Sequence, residues 1–491
     1  MVQRATRLSG PSPSSETGRL LDRAFALVRQ EEKVRTEFPP EVLAEVERSM
    51  AAPDLPERDE TTVPFVTIDP PGSMDLDQAV HIERDGDGYR VRYAIADVPS
   101  FLVEGGALDA EVRLRGMTVY CPDTRVPLHP SALSEDAASL LPAVVRPAYV
   151  WDLRLTAEGE RGTADLYRAM VRSERRYTYA EVQELVDGGQ GEGTLMLLQE
   201  VGEQRIARES ARGGASLPMP EQEVHVDDEG HYHLRLRPLL PAEDWNAQIS
   251  LLTGMAAAAL MLEGGVGILR TMPEATPQSV ARFRREVRAL GSDWPQDMRY
   301  GDFLRGLDRN DPAHLAIVNA ATALFRGAGY TTFDGELPPE DQRVQAAIAA
   351  PYAHVTAPLR RLVDRFGLAV CEALAAGRDV PAWAREALPA LPDLMAEADR
   401  RTKSVDRQCI SAVEAAVLVD RVGEHFEAVV VDGFDKGVVV QLLDPPVSER
   451  ARGTAGLGST VQVEVESADI LRRVVELRVV PGGNSPAAVG G

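Results

Sequence analysis

The spacing of apolar and polar residues changes several times along the chain, and each change predicts a different kind of element. Apolar residues recur every three or four positions within residues 16–50, which predicts two helices separated by a Pro-Pro pair. From Val63 the period is two, which predicts a strand-rich part. Helical spacing dominates residues 179–422, and the period of two then returns. Strands followed by helices predict an α+β fold without internal repeats.

These changes of period predict four regions. Residues 1–60 are expected to be a short helical region, for which a helix-turn-helix is one open alternative. Residues 61–422 are expected to form the main domain, a mixed sheet packed with helices. Residues 423–481 contain four or five short strands, which is typical of a small OB-fold barrel. The Gly-, Pro- and Ala-containing tail, 482–491, is predicted to be disordered.

The composition is that of an ordinary globular protein with an acidic balance. Of 491 residues, 44% are hydrophobic, and the formal net charge is -23. The total charge therefore predicts no general polyanion-binding surface, and any nucleic-acid site has to be a local basic channel. No apolar run reaches the roughly 18 residues of a membrane span, so residues 254–262 are predicted to be a buried helix. The isolated Cys121, Cys371 and Cys409 argue against a disulfide framework and favour a reducing cytoplasm.

Candidate chemistry is concentrated in an acidic segment between two predicted strands. Asp75 and Asp77 are two residues apart, so they project to one side of an extended chain, and a Pro-Pro-Gly turn can fold Asp69 back beside them. Carboxylates brought together repel one another unless a cation neutralises them, and hard oxygen ligands suit Mg²⁺ or Mn²⁺. Spacing alone leaves three interpretations open, namely a catalytic metal site, a structural calcium loop and a solvated acidic loop.

The same segment resembles the motif of the ribonuclease II and ribonuclease R family, which is built on the RNB domain. That motif has Asp, five residues, then Asp-x-Asp-Asp before Ala. Asp69, Asp75 and Asp77 fill the first three acidic places, whereas Gln78 stands in the fourth. Further runs are similar to family motifs in the right order between about residues 60 and 420, namely Tyr120-Cys-Pro, Val126-Pro-Leu-His-Pro, Arg212-Gly-Gly and the run YAHVTAPLRR from Tyr352 to Arg361.

The resemblance implies a role for each matching residue. The expected catalytic residues are Asp69, Asp75, Asp77 and Arg360, the last of which would contact the scissile phosphate. The expected ligands of Mg²⁺ or Mn²⁺ are Asp69, Asp75, Asp77 and Gln78, although a neutral amide supplies no charge. The expected RNA contacts are Tyr120, Tyr179, Arg212, His354, Thr356, Arg361, Lys403 and Asp406.

The function implied by the resemblance is metal-dependent, processive 3′-to-5′ hydrolysis of single-stranded RNA to 5′-mononucleotides by a monomeric cytoplasmic enzyme of RNA decay and processing. The C-terminal strands resemble the S1 domain of the family, and residues 1–60 are too few and too helical for its cold-shock domains. The alternative is an RNA-binding protein with a degenerate, inactive RNB domain, which Gln78 supports. Leu217 stands where related enzymes often have a clamping Phe, so the length of the final product stays open.

Overall fold

The computed structural model describes residues 7–9, 15–191, 193–215, 217, 221–226, 232–308 and 311–481. The N-terminal region holds β1 (Arg7–Ser9), α1 (Glu16–Glu31) and α2 (Pro40–Ala51). The α1 helix begins where the Ser15 hydroxyl accepts a hydrogen bond from the Gly18 N–H at 3.1 Å. The two helices are accompanied by the short strand β1, which pairs with residues 223–225, far along the chain. The predicted disordered tail lies outside the described residues.

The next part of the chain is built around a closed five-stranded barrel. Its elements are β2 (Phe65–Ile68), β3 (Gln78–Asp85), β4 (Gly88–Ala96), α3 (Ala107–Arg115), β5 (Val119–Tyr120), β6 (Arg125–Val126), β7 (Val145–Leu155) and β8 (Arg161–Tyr177). The barrel order is β2-β3-β4-β7-β8, and β5 and β6 form a separate hairpin. Phe65, Val91 and Trp151 are fully buried in its core. Because β2 runs parallel to β8, the residue after β2 lies beside the end of β8.

Helices dominate the middle of the chain. The elements are α4 (Tyr179–Asp187), α5 (Thr194–Arg212), β9 (Glu221–Val226), β10 (Tyr232–Arg237), α6 (Pro241–Gly264), β11 (Val266–Thr271), α7 (Pro277–Ala289), α8 (Tyr300–Arg305), α9 (Pro312–Ala321), β12 (Gly329–Asp334), β13 (Val344–Gln345), β14 (Ala350–Pro351), α10 (Leu362–Ala375), α11 (Ala382–Ala387) and α12 (Leu391–Leu418). The α6 helix is long and apolar enough to cross a membrane, and here it packs against α5 and α10 with Ile249 and Leu252 fully buried.

One glycine of α6 is required by a close approach of the chain. A Cβ atom on Gly254 would lie 2.0 Å from the ring of Tyr352, and the Gly254 carbonyl accepts a hydrogen bond from the Ala353 N–H at 3.0 Å. Any side chain at this position would displace the segment that begins at Tyr352. The α6 helix therefore provides a fixed support for that segment.

A second closed barrel completes the described chain. It consists of β15 (His425–Phe434), β16 (Gly437–Leu442), β17 (Ser448–Arg452), β18 (Thr460–Asp469) and β19 (Val474–Val479), in the order β15-β16-β17-β19-β18. Its core continues into α12 and α1, so that Phe25, Val413 and Val440 belong to one buried cluster. The predicted α+β fold with a small C-terminal barrel is confirmed.

Candidate active site

The acidic segment is a loop between β2 and β3 that is fixed at both ends. The N–H of Asp69 donates to the carbonyl of Tyr177 at the end of β8, at 3.0 Å, and the carbonyl of Asp77 accepts from the N–H of Ala96 at 2.9 Å. Between them, Gly72 has a φ of 77°, which allows the chain to turn. Barrel strands thus bring Asp69 and Asp77 to the same rim.

Asp77 is buried against the segment that contains Arg360. Its Oδ1 accepts a hydrogen bond from the Leu359 N–H at 2.8 Å, and its Oδ2 lies 3.3 Å from Nε of Arg360. The pKa of Asp77 is raised to about 8, first by burial, with Asp75 and Asp364 adding to the rise and Arg360 opposing it. The structure therefore brings Asp77 and Arg360 into direct contact although they are far apart in sequence.

Asp69 is the site carboxylate with an unsatisfied atom. Its Oδ2 is buried and has no hydrogen-bond partner within the described part of the chain. The pKa of Asp69 is raised to about 7, first by burial and then by the Asp75 carboxylate, whereas Arg360 and Arg176 lower it. This buried oxygen has no donor and lies near a second carboxylate, so a bound cation would stabilise the ionised form of Asp69.

We expect Asp69→Asn to be more stable than the wild-type protein at high pH in EDTA. The native state keeps the Asp69 proton between about pH 4 and 7, where the unfolded chain has released it, so wild-type stability falls as pH rises through that window. Asparagine cannot become charged, so its free energy of unfolding does not fall in this way. The difference in free energy of unfolding between the variant and wild type should therefore shift in favour of the variant by about 1 to 3 kcal/mol between pH 5 and pH 8.5. Urea unfolding across this range measures the difference.

The control for this experiment is Asp87→Asn, in the exposed turn between β3 and β4. It should follow the wild-type pH dependence. Parallel stability curves for wild type and Asp69→Asn would contradict the expectation, because they would show that Asp69 releases its proton at the same pH in both states.

Asp75 is paired with an arginine that the sequence reasoning missed. The Arg125 guanidinium bridges Asp75 and Glu135 with two very short ion pairs. Arg125 is opposite Tyr120 in the β5–β6 hairpin, so the hairpin register was the signal that could have revealed it. Arg176, also missed, donates from Nη1 to the Ser73 carbonyl at 2.5 Å. Two further cations therefore stabilise the acidic loop.

Gln78 has both ends of its amide engaged with protein atoms. Its Nε2 donates to the carbonyl of Thr356 at 2.5 Å, and its Oε1 accepts from the hydroxyl of Tyr93 at 2.7 Å. The Tyr93 hydroxyl also lies 2.8 Å from that of Ser250 on α6. In this structure Gln78 joins β3 to the segment with Thr356, and its expected role as a metal ligand stays a prediction.

We expect Gln78→Glu to lower the free energy of unfolding by about 1 to 3 kcal/mol, because a carboxylate cannot donate to the Thr356 carbonyl and leaves that buried acceptor unpaired. Urea unfolding at pH 8 measures the change. Gln199→Glu is the control, since Gln199 bonds Glu203 at the exposed surface of α5 and should cost no more than about 0.5 kcal/mol. Equal losses in both variants would contradict the assigned contact.

The two adjacent arginines of the YAHVTAPLRR run have different surroundings. Arg361 donates to both oxygens of Asp364, at 2.5 and 2.8 Å, and its side chain is 16% exposed. Arg360 keeps 43% of its side-chain surface exposed while it contacts Asp77. Asp364 also accepts from the Ala357 N–H at 2.7 Å, so it holds the turn before α10. Arg360 is therefore free to meet a ligand, whereas Arg361 stabilises the turn.

Two tyrosines flank the carboxylates. The pKa of Tyr120 is raised to about 12, first by burial, with Arg360, Asp75 and Asp77 all close enough to affect it. Tyr179 is the first residue of α4, where its hydroxyl accepts from Asn246 at 3.3 Å. Burial and then Asp69 raise the pKa of Tyr179. Tyr120 is therefore close to Asp75 and Asp77, and Tyr179 is close to Asp69.

The remaining predicted RNA contacts are distributed over other parts of the fold. His354 contacts the Tyr330 hydroxyl through Nδ1 at 2.8 Å. Arg212 ends α5 and reaches the Ile348 carbonyl at 3.5 Å. Lys403, on α12, pairs with Asp399 at 2.7 Å and is 60% exposed. Asp406 lies on the same helix and has interactions of its own. Leu217 packs beside the cluster that contains Phe283.

The carboxylates fit a divalent cation in part. Across the described residues, no set of three or more His, Cys, Asp or Glu side chains is gathered closely enough to hold a metal ion. Asp77 is already engaged by the Leu359 N–H and by Arg360. Asp69 and Asp75 repel each other, and a cation would relieve that repulsion. The unpaired Oδ2 of Asp69 has the chemistry of a hard oxygen ligand.

Comparisons with known proteins show which family this chain and its fold resemble. Ribonuclease R of Escherichia coli K12 is 26% identical over 480 residues, covering 87% of this chain and 58% of that protein. The chain therefore spans little more than half of that relative's length. The apo structure of Mycoplasma genitalium RNase R matches with a TM-score of 0.82 at 16% identity, covering 94% of this chain and 78% of that one. That protein has also been solved with ribose-methylated single-stranded RNA and with double-stranded RNA.

A yeast protein described as a pseudonuclease, Ssd1, has a related fold, with a TM-score of 0.65 at 16% identity over 90% of this chain and 58% of that one. Residues 57–369 match the RNB domain, and residues 424–480 match the RNase II-type exonuclease C-terminal S1 domain. The RNB match covers well over half of the chain, which confirms the resemblance carried by the acidic loop and the YAHVTAPLRR run. The chain therefore belongs to the ribonuclease II and ribonuclease R family of RNB-domain proteins.

Proposed function

We propose that this protein is a metal-dependent, processive exoribonuclease that degrades single-stranded RNA from its 3′ end and releases 5′-mononucleotides. One observation supports this most directly. Asp77 is fixed by the Leu359 N–H beside the partly exposed Arg360, with Asp69 and Asp75 alongside. An acid that can exchange a proton therefore adjoins a cation that can bind a phosphate.

RNA would be bound by charge and by stacking. Arg360 can meet two phosphate oxygens at once, and base stacking on Tyr120 and Tyr179 contributes roughly 1 to 3 kcal/mol per base without regard to sequence. Contacts to the 2′-hydroxyl would select RNA over DNA. The RNA-bound structures of the Mycoplasma relative support RNA as the class of substrate.

Hydrolysis would use the carboxylates in different ways. Asp69 and Asp75 would hold Mg²⁺ or Mn²⁺, which supplies charge neutralisation and a water of lowered pKa. Asp77, held between Leu359 and Arg360, would accept the proton of the attacking water. The water oxygen bonds to phosphorus, and the bond from phosphorus to the 3′ oxygen of the preceding nucleotide breaks. That oxygen takes up a proton from solvent, and Asp77 releases the proton it accepted, so that one water is consumed for each nucleotide.

The second candidate is an RNA-binding protein without catalysis. Gln78 replaces the fourth acid of the motif, and its amide is hydrogen-bonded to the Thr356 carbonyl and the Tyr93 hydroxyl. In addition, a protein described as a pseudonuclease has a related fold. The presence of Asp69, Asp75, Asp77 and Arg360 together favours the enzyme.

Incubation of the purified protein with 5′-labelled single-stranded RNA and Mg²⁺ or Mn²⁺ tests the proposal. A ladder that shortens from the 3′ end, with 5′-mononucleotides as product, is the expected result. RNA that is bound but never shortened, with either cation, would favour the second candidate. A duplex with a 3′ overhang in the same assay shows whether paired RNA is also degraded.

A further inference from the structure

A cation-rich pocket lies between the end of α1, α3 and α12. It has a volume of about 220 Å³ and is lined by the cations Lys33, Arg35, Arg113 and Arg401, by one carboxylate, Glu397, and by the apolar Leu114 and Leu394. The chain has a net charge of -23 and contains three lysines, of which Lys33 is one. Four cations around one pocket are therefore a pronounced local departure from the charge of the whole protein.

None of the residues that line this pocket belongs to the candidate active site. Leu394, Glu397 and Arg401 follow one another at helical spacing, so they form one stripe of α12. Lys403 and Asp406 come two and five residues after Arg401, which turns them more than 100° around the helix axis. The predicted RNA contacts of α12 and the pocket consequently lie on different sides of the helix.

Ion pairing beneath the pocket leaves positive charge uncompensated. Glu111 is shared by Arg35, at 2.7 Å, and by Arg115, at 2.9 Å. Asp109 is likewise shared by Arg113, at 3.1 Å, and by Arg365. Each carboxylate thus faces two guanidinium groups.

The remaining two cations have different partners. Arg401 pairs with Glu397 at 3.0 Å and donates to the Leu114 carbonyl at 3.2 Å. Within the described residues, the Lys33 ammonium has no hydrogen-bonded or ionic partner. An excess of cations therefore remains after every pair has been counted, and an anion would balance it.

The cations are also held in position before any ligand arrives. The guanidinium groups of Arg35 and Arg401 are fixed by their partners, so little side-chain entropy is lost when an anion binds. Lys33 has a φ of 53°, a left-handed conformation that is uncommon outside glycine and that directs the chain from α1 toward α3. The pocket is therefore preorganised for a group with several acceptor oxygens.

We propose that this pocket binds the phosphate of a nucleotide unit, with the cations around the phosphate and Leu114 and Leu394 against its sugar or base. The phosphate comes either from a phosphodiester of a long RNA or from a free mononucleotide. The RNA source rests on the proposed function, whereas the binding itself needs no turnover. A long RNA held both here and at the active site would be anchored at two separate places on the protein.

Binding measured in EDTA, without divalent cations, tests the pocket. The variants are the double substitution Lys33→Gln with Arg401→Gln, and the single Lys33→Glu, which breaks no internal contact. Fluorescence anisotropy compares an oligouridine of about 30 nucleotides with one of about four. If RNA is the source, both variants bind the long RNA about threefold to tenfold more weakly than wild type does. The salt dependence of log K for the long RNA then becomes shallower by about 0.7 per lost phosphate contact, and the affinity for the short RNA stays the same.

Calorimetry with AMP and with inorganic phosphate tests the other source. If a free nucleotide is the ligand, wild type binds one AMP more than either variant, and the affinity for long RNA stays the same. Arg378→Gln is the matched control, because Arg378 is an exposed arginine paired with Glu372 away from the pocket. Identical RNA affinity, salt slope and AMP binding in wild type and both variants would overturn the proposal. If the protein binds RNA or AMP through the pocket but never shortens RNA, the proposed function is rejected and the proposed binding site is retained.

Discussion

Asp77→Asn is expected to lower the rate of mononucleotide release by about 100-fold to 10,000-fold while the protein stays folded and still binds RNA. Asparagine keeps an oxygen that can accept the Leu359 N–H, now at 2.8 Å from Asp77, so the contact between the acidic loop and the Arg360 segment is retained. It removes the charge and the ability to accept a proton. The loss should therefore be confined to the chemical step.

Single-turnover digestion of end-labelled RNA measures the chemical step, and fluorescence anisotropy in EDTA measures binding. Asp87→Asn, in an exposed turn, is the control and should match wild type in both. A variant that releases mononucleotides at nearly the wild-type rate would remove Asp77 from the reaction.

Arg360→Lys should be the second most damaging change, with a loss of about 100-fold to 1,000-fold in turnover. Arginine offers a planar fork of donors to phosphate, whereas lysine is a single flexible charge. Lysine still places a cation near the buried Asp77, so the fold should tolerate it. The loss is expected in kcat more than in KM, because the interaction strengthens as charge develops on the phosphate.

The neighbouring arginine gives an internal contrast. Arg361→Lys breaks a two-point contact with the fully buried Asp364 and should lower stability more than Arg360→Lys does. Urea unfolding of the two variants, beside their kinetics, separates the effects. Equal stability losses would argue against the different roles assigned to these adjacent residues.

Much of the candidate site could be predicted because its residues are close in sequence or belong to a distinctive run. The spacing of Asp69, Asp75 and Asp77 and the run ending at Arg361 named these acids and Arg360 only through their resemblance to the family motifs, and the structure brings Asp77 and Arg360 into contact. The register of the β5–β6 hairpin was the one sequence signal for the pairing of Asp75 with Arg125. The bridge from Gln78 to Thr356 could not be predicted, because it joins two segments that are far apart in sequence.

The fold shows the same limit. Helical spacing predicts a helix from Pro358, but α10 begins at Leu362, since Asp364 holds residues 357–361 in a turn. The bounds of α5 do not follow from the pattern, because Arg205 and Glu209 are buried on its apolar face and obscure the amphipathic pattern. The spacing of apolar residues therefore predicted most elements. Element bounds that depend on buried charged residues or on contacts between distant residues could be seen only in the tertiary structure.

The packing of α1 has a consequence for the order in which the protein is made. Its apolar residues Leu21, Phe25 and Val28 belong to a buried cluster that is formed mostly by α12 and the C-terminal barrel, and Glu31 pairs with Arg473 at 2.9 Å. At roughly 5 to 20 residues per second, α1 would leave the ribosome tens of seconds before those partners exist. During most of its synthesis the growing chain therefore exposes part of the apolar face of α1. The packing of this helix is completed only when the C-terminal barrel has been made.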